Sequence, residues 1–245
     1  MGTVDGVLLL AAGKGERLKP ITDKIPKPLI RIYDIPIIVF PLYFLAKAGF
    51  KKIIVNLHHL PDELEEFLLK FGSKNSIEFI IIREKELLGT GGTIKHVFEK
   101  FGFSRILVIN SDSVGDFDIL GFVNDSQKFN SIAHILIYKD RSVGGIELQN
   151  EIYVNIKGEG KGGDYAFCGV HIVSRNILDF LGKKNTIPMC IVRDGYIPAI
   201  ASGQNISYSI HNGLFSDAGT YERIDKIRAF PKSFFKEISD YFVLA

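Results

Sequence analysis

Short apolar runs rich in β-branched residues alternate, through the first half of the chain, with segments in which apolar residues recur every three or four positions. That alternation predicts an α/β sheet with helices on both faces. Val7 to Ala12 is the first predicted strand, followed by a helix from Pro36 to Ala48 that ends at Gly49, and by a strand from Lys52 to Leu57. Leu64, Phe67, Leu68 and Phe71 fall at i, i+3, i+4 and i+7 behind Pro61 and Asp62, which predicts a helix with Gly72 as its stop. Ile77 to Ile82 reads as a strand, the spacing of Ile94, Val97, Phe98 and Phe101 as a helix closed by Gly102, and Arg105 to Asn110 as a buried strand.

From Ser131 the pattern shortens. Ile132 to Tyr138, Val143 to Leu148, Glu151 to Ile156 and Ala166 to Val173 are strand-like, with little room between them for helices, so this half is expected to be antiparallel or mixed sheet. Helices are predicted at Ser174 to Leu181 and Thr186 to Arg193, then a strand at Asn205 to Ile210 and helices near Thr220 to Arg228 and Lys232 to Phe242. The glycine-rich Gly158 to Gly163 is a turn. No internal repeat or low-complexity tail interrupts the pattern.

Composition narrows the class. At 245 residues, 46% apolar and 24% charged, the chain matches ordinary globular proteins. A net charge of +2 with no basic run gives nothing to track a nucleic-acid backbone, so no nucleic-acid partner is expected. Cys168 and Cys190 are too few and too far apart for a disulfide framework or a CxxC pair. Asp5 stands where a signal peptide would be basic, and no window reaches the ~20 apolar residues of a membrane span. The expectation is a cytoplasmic chain without a membrane partner.

The segment that carries chemistry is LAAGKGERLKPITDKIPKPL, Leu10 to Leu29. A strand ends and the chain enters a loop holding Gly13, Lys14, Gly15 and Arg17. Glycines let backbone amides approach phosphate oxygens closely, and an arginine offers a planar fork for them, so the loop reads as a polyphosphate cradle. It is neither of two familiar phosphate loops: GxGxxG would need glycine where Leu18 stands, and the Walker pattern is absent. Lys27 is held between Pro26 and Pro28 on a stiff loop, a compact charge suited to a phosphoryl group gaining negative charge. Asp112 follows a buried strand at its carboxyl end, where α/β sheets bind ligands, and is a hard oxygen ligand suited to Mg²⁺. His58 and His59 are neighbours on an extended segment and point to opposite faces, against a metal pair. His171 reads as a satisfied sheet residue, and Phe40, Tyr43, Phe44, Phe234, Phe235, Tyr241 and Phe242 as core or interface aromatics.

These residues resemble the sugar-1-phosphate nucleotidyltransferases, which make nucleotide-diphospho-sugars from an NTP and a sugar 1-phosphate. The family signature LAAGxGxRLxPxTxxxPKPL is matched without a gap from Leu10 to Leu29. The resemblance continues through Pro36 to Ile38, Ala48-Gly49, Val55 to His58, LGTGGTI (Leu88 to Ile94), NSDS (Asn110 to Ser113), DYAFCGVHIVS (Asp164 to Ser174) and SDAGTYERI (Ser216 to Ile224). Ser111 stands where relatives usually have the glycine of NGD, and Lys157 to Lys161 does not match the family's Glu-Lys-Pro segment.

The resemblance implies a single domain over residues 1–245, a three-layer Rossmann-like mixed sheet of the nucleotide-diphospho-sugar transferase type. Residues 1–130 are then the nucleotide-binding half and 131–245 the sugar-phosphate half. It implies that Leu10, Ala11, Ala12, Gly13, Lys14 and Gly15 cradle the nucleotide, with Gly89, Gly91 and Gly92 at the nucleoside and Gly145 and Gly169 at the sugar. Arg17 and Lys27 become the catalytic cations, Arg17 on the β and γ phosphates and Lys27 on the α-phosphoryl group. Asp112 and Asp217, the latter matching the family's DxGT aspartate, become carboxylate ligands of a Mg²⁺ cofactor.

Within the family the short chain resembles the muramate, mannose and heptose 1-phosphate enzymes, which makes UTP and GTP the favoured donors, CTP third, and cell-envelope polysaccharide the destination. Two other readings stay open: a non-catalytic regulatory module of the same fold, and a cytidylyltransferase acting on a different phosphorylated alcohol. A nicotinamide oxidoreductase is disfavoured by Leu18. The chain is expected to be a monomer or homodimer.

Overall fold

Each element follows from where its apolar residues and glycines lie. The structure is a computed structural model that describes residues 4–181 and 187–244. In chain order the elements are β1 (Gly6–Leu10), β2 (Arg31–Ile32), β3 (Ile35–Pro36), α1 (Val39–Lys47), β4 (Lys52–Leu57), α2 (Pro61–Asn75), β5 (Glu78–Arg83), α3 (Gly89–Phe101), β6 (Arg105–Asn110), β7 (Ser113–Gly115) and α4 (Ile119–Ser126). After these come β8 (Ala133–Lys139), β9 (Ile146–Leu148), β10 (Val154–Ile156), β11 (Tyr165–Ser174), α5 (Leu178–Leu181), α6 (Ile197–Ala201), β12 (Ile206–Ile210), β13 (Phe215–Asp217), α7 (Tyr221–Arg228) and α8 (Lys232–Tyr241). The class is α/β with a large mixed sheet, as expected. Among the described residues no helix is long and apolar enough to cross a membrane.

The chain folds into two compact units whose segments interleave in sequence. One is built from Val7–Glu86, Ile109–Ile119 and the segment from Gly213 onward. In it β1, β4 and β5 run parallel, with Leu8 opposite Ile54 and Ile54 opposite Ile80. Ser111, just past β6, donates its N–H to the Leu10 carbonyl (2.9 Å) and so lies beside the end of β1. Leu8, Leu9, Ile53 and Val55 are buried, each contributing about 1.5–3 kcal/mol of transfer free energy. The predicted core aromatics close this unit. Phe40 of α1 stacks on Phe234 of α8 with centroids 5.8 Å apart, Tyr43 meets Tyr241 edge-on at 5.0 Å, and the Tyr43 hydroxyl donates to Glu237 Oε1 (2.5 Å).

The other unit comprises the segment up to Gly6, Leu87–Val108 and Leu120–Asn212. Here the order is β10-β9-β11, with β8 antiparallel to β11 and β12 parallel to β8, the mixed sheet that the short strands predict. A bulge between Phe167 and His171 interrupts the β11–β8 ladder, and Gly169 supplies the positive φ (75°) inside it.

Three local expectations are corrected. Gly72 does not stop α2. The helix runs on to Asn75 and ends at Ser76, whose φ is 56°, while a Cβ on Gly72 would lie 2.4 Å from the Ile77 carbonyl oxygen. Gly72 is needed for the close return of the chain into β5. The helix expected at Thr186 to Arg193 begins outside the described residues, and Ile191–Tyr196 forms a π-type turn leading into α6. The short helix α4 is an element that the apolar pattern does not predict. Gly102, by contrast, closes α3 at φ 71°, as predicted.

Candidate functional site

The cradle begins where β1 stops. The Ala11 N–H donates to Asn56 Oδ1 (2.8 Å), and Asn56 Nδ2 donates to Glu84 Oε1 (2.8 Å), so a buried polar chain running from β4 to the end of β5 fixes the first residue of the loop. Beyond it, the N–H groups of Ala12, Gly13, Lys14 and Gly15 make no hydrogen bond among the described residues. Successive free amides in a tight loop form an anion-binding concavity. Gly15 sits at φ 66°, and a Cβ there would lie 2.8 Å from Thr22 Cγ2 and 3.1 Å from Lys27 Cβ. Its carbonyl accepts from the Leu18 N–H and the Thr22 hydroxyl, both at 2.9 Å. The bare glycine therefore lets the Thr22 and Lys27 segments close under the loop. Gly13 has open space around its missing Cβ.

Lys27 opens a single 3₁₀ turn, Lys27–Leu29, and its ammonium pairs with the Asp112 carboxylate. Both side chains are largely buried, 14% and 22% exposed, which makes the pair stronger than a surface one. Asp112 lies in the turn between β6 and β7. Its carbonyl accepts from the Ala218 N–H (2.9 Å), and the β7–β13 ladder sets Asp217 opposite Ser113. The segments of two residues predicted from opposite halves of the chain thus become neighbours across one short ladder. The Asp217 carboxylate is held by Arg223 Nη1 at 2.8 and 2.6 Å, and by the Gly219 N–H at 3.0 Å. A Cβ on Gly219 would lie 2.5 Å from Asp217 Oδ1 and 2.7 Å from Arg17 Nη2, so the glycine makes room for the Arg17 guanidinium beside Asp217. Arg17, Lys27, Asp112 and Asp217 all lie in the same unit, and the Ala218–Asp112 backbone bond joins the two carboxylate segments.

Two hard carboxylates fit a divalent ion of the Mg²⁺ kind, which is commonly held by one or two carboxylates with substrate phosphates and water completing its shell. Among the described residues no cluster of three or more His, Cys, Asp or Glu makes an all-protein cage. The donor set therefore suits an ion completed by substrate.

The remaining predicted residues belong to the other unit, and there the structure gives each a packing reason. Gly89 has φ 75°, and a Cβ on it would lie 2.4 Å from the Met189 carbonyl oxygen. The Gly91 N–H donates to that same carbonyl (2.9 Å), and the Ile191 N–H donates to Thr90 Oγ1 (2.9 Å). A Cβ on Gly92 would meet Leu88 Cβ at 3.0 Å. The start of α3 is thus covered by the chain over Met189 to Ile191. Gly145 lies against Gly158, whose carbonyl oxygen would be 2.1 Å from an added Cβ, and Gly169 occupies the bulge of β11.

His58, His59 and His171 each have a hydrogen-bond partner within the fold, in keeping with the sequence reading. His58 Nδ1 lies 3.1 Å from the Glu84 carbonyl oxygen and His59 Nε2 2.7 Å from that of Thr22, while the buried His171 bonds the Tyr196 hydroxyl. Burial pushes His171 down to about 3. His134 is buried between Ser207 Oγ (2.8 Å from Nδ1) and Ser209 Oγ (2.9 Å from Nε2), and burial pushes it down to about 4.

Sequence reasoning missed Asn56, Glu84, Arg223 and Tyr221, whose hydroxyl donates to the Leu18 carbonyl (3.0 Å). Asn56 had a visible signal, a lone amide at the end of an apolar strand, where buried polar groups need partners. Arg223 had none, because its partner is fixed only by the turn at Gly219.

Comparison with known proteins gives the family. Residues 6–146 match the family described as nucleotidyl transferase. The N-acetylmuramate α-1-phosphate uridylyltransferase of Neisseria meningitidis is 27% identical over 230 residues, covering 91% of this chain and 96% of that protein. A mannose-1-phosphate guanyltransferase of Gibberella zeae is 35% identical over 232 residues, covering 86% of this chain and 60% of that protein. The crystal structure of HddC from Yersinia pseudotuberculosis complexed with GMP-PN is 26% identical with a TM-score of 0.74, covering 90% of this chain and 96% of that one. The chain spans 36% to 60% of the length of several longer curated relatives. With the signature loop, Lys27 and Asp112 all inside the matched region, the chain belongs to the nucleotidyl transferase family.

Proposed function

We propose that the chain transfers a nucleotidyl group from an NTP, with UTP or GTP favoured, to a sugar 1-phosphate, releasing pyrophosphate. The observation that carries this reading is the Lys27–Asp112 pair set beneath a loop of unbonded amides. An oxygen of the sugar phosphate attacks the α-phosphorus in line, and the bond from that phosphorus to the bridging oxygen of the β-phosphate breaks. Such a reaction needs positioning and charge stabilisation and no covalent nucleophile. The amides of Ala12 to Gly15 bind triphosphate oxygens, Arg17 grips the β and γ phosphates, and Lys27 leaves Asp112 to stabilise the α-phosphoryl group as it gains charge. Asp112 and Asp217 would hold Mg²⁺, which supplies charge neutralisation to the phosphates when bound.

Gly89, Gly91 and Gly92 at the nucleoside, and Gly145 and Gly169 at the sugar, remain part of the proposal, as do a cytoplasmic location, a monomer or homodimer, and a product bound for cell-envelope polysaccharide. Pyrophosphate release with Mg²⁺, across four NTPs and a panel of sugar 1-phosphates, tests the reaction. One productive donor–acceptor pair is expected. Silence in a protein that still binds NTP contradicts it.

A further inference from the structure

We propose that Arg223 is a placeholder cation for the metal site: it pairs with the Asp217 carboxylate and competes for it with a divalent ion that arrives with the nucleotide. The inference rests on the reading above, in which Asp112 and Asp217 hold that ion. Arg223 is built for the task. Its backbone N–H is tied to the Thr220 side chain that caps α7 (3.3 Å), and from this first turn the guanidinium reaches back to both Asp217 oxygens at 2.8 and 2.6 Å. The two side chains are 26% and 27% exposed, so screening by water is incomplete.

Lys27 mirrors the arrangement on Asp112, leaving two carboxylates matched by two fixed cations. The Arg17 guanidinium stands by Gly219 as a further positive charge. A free divalent cation therefore meets carboxylates that are already neutralised. A guanidinium cannot leave by losing its proton, so it must move. A metal triphosphate carries the anionic oxygens that take up Lys27 and Arg17, and it arrives with the charge balance that a free ion lacks. Low affinity for the free ion follows from Arg223 on Asp217 and Lys27 on Asp112, and the gain with nucleotide from the phosphate oxygens that take up Lys27 and Arg17.

The test is titration of Mn²⁺ by electron paramagnetic resonance, with and without a non-hydrolysable UTP or GTP analogue. Wild type is expected to bind Mn²⁺ weakly alone and tightly with the analogue. Arg223→Gln is expected to bind Mn²⁺ alone at least about tenfold more tightly than wild type, because one opposing charge is gone. Arg223→Lys, which keeps the charge, stays near wild type. A merely structural role would weaken Mn²⁺ binding in Arg223→Gln, the opposite direction.

The proposal is overturned if wild type binds Mn²⁺ equally well with and without the analogue, a result that needs no variant to fold. It is also overturned if Arg223→Gln, with wild-type circular dichroism, shows no gain. Asp217→Asn separates the two layers. If it retains the nucleotide-dependent Mn²⁺ binding, the metal-site reading falls and the placeholder with it. If it loses that binding while Arg223→Gln gains nothing, only the placeholder falls.

Discussion

In the proposed reaction Lys27 meets the α-phosphoryl group, and its surroundings say what its removal should do. The side chain is largely buried against Asp112 and sits on a single turn between prolines, so Lys27→Ala removes a charge and leaves the backbone its reasons to fold. Turnover is expected to fall about 10²–10³-fold, the scale for losing one preorganised charge donor, with unchanged circular dichroism. Near-normal turnover in a pyrophosphate-release assay would remove Lys27 from the mechanism. Gly219→Ala probes the same site from the other side. Its Cβ would intrude on Arg17 Nη2 and Asp217 Oδ1, so the apparent NTP affinity should drop several-fold in equilibrium binding. Asn56→Leu strips the Ala11 N–H and Glu84 of a buried partner, and should cost about 3 kcal/mol by urea unfolding.

At the scale of elements, the β8–β12 pair carries a pH dependence. His134 Nδ1 and Nε2 each meet a serine hydroxyl, which can serve a neutral imidazole at either nitrogen, and burial lowers its pKa to about 4. In the unfolded chain histidine binds its proton near 6.5. Between those values the unfolded state holds more protons, so stability is full above about pH 6.5 and is lost as pH falls toward 4, by about 3 kcal/mol. Urea midpoints of wild type should drop between pH 7 and pH 5 more steeply than those of His134→Gln. Equal slopes would contradict the assignment.

The same scale shows what the sequence could and could not convey. Leu10 to Leu29 made the family legible because its pattern is local, with glycine, lysine and proline all inside twenty positions. Gly72 misled, and the Gly89–Gly92 run was legible only in part, for one physical reason. Each makes room for chain that returns from elsewhere, Ile77 in one case and Met189 to Ile191 in the other, and a local pattern does not show such a return. Arg223 on Asp217 was hidden because only the turn at Gly219 brings them face to face.

Across the whole molecule, the two candidate carboxylates come from strand ends, Asp112 just past β6 and Asp217 at the end of β13, while Arg17 and Lys27 lie on 3₁₀ turns in the long segment between β1 and β2. The most direct test of the central claim is pyrophosphate release by the purified chain with Mg²⁺, four NTPs crossed with mannose, glucose, N-acetylglucosamine, muramate and heptose 1-phosphates. The account predicts turnover with UTP or GTP and one preferred acceptor, abolished by Lys27→Ala. No turnover with any pair, in a protein that binds the nucleotides, would contradict it and favour the non-catalytic module.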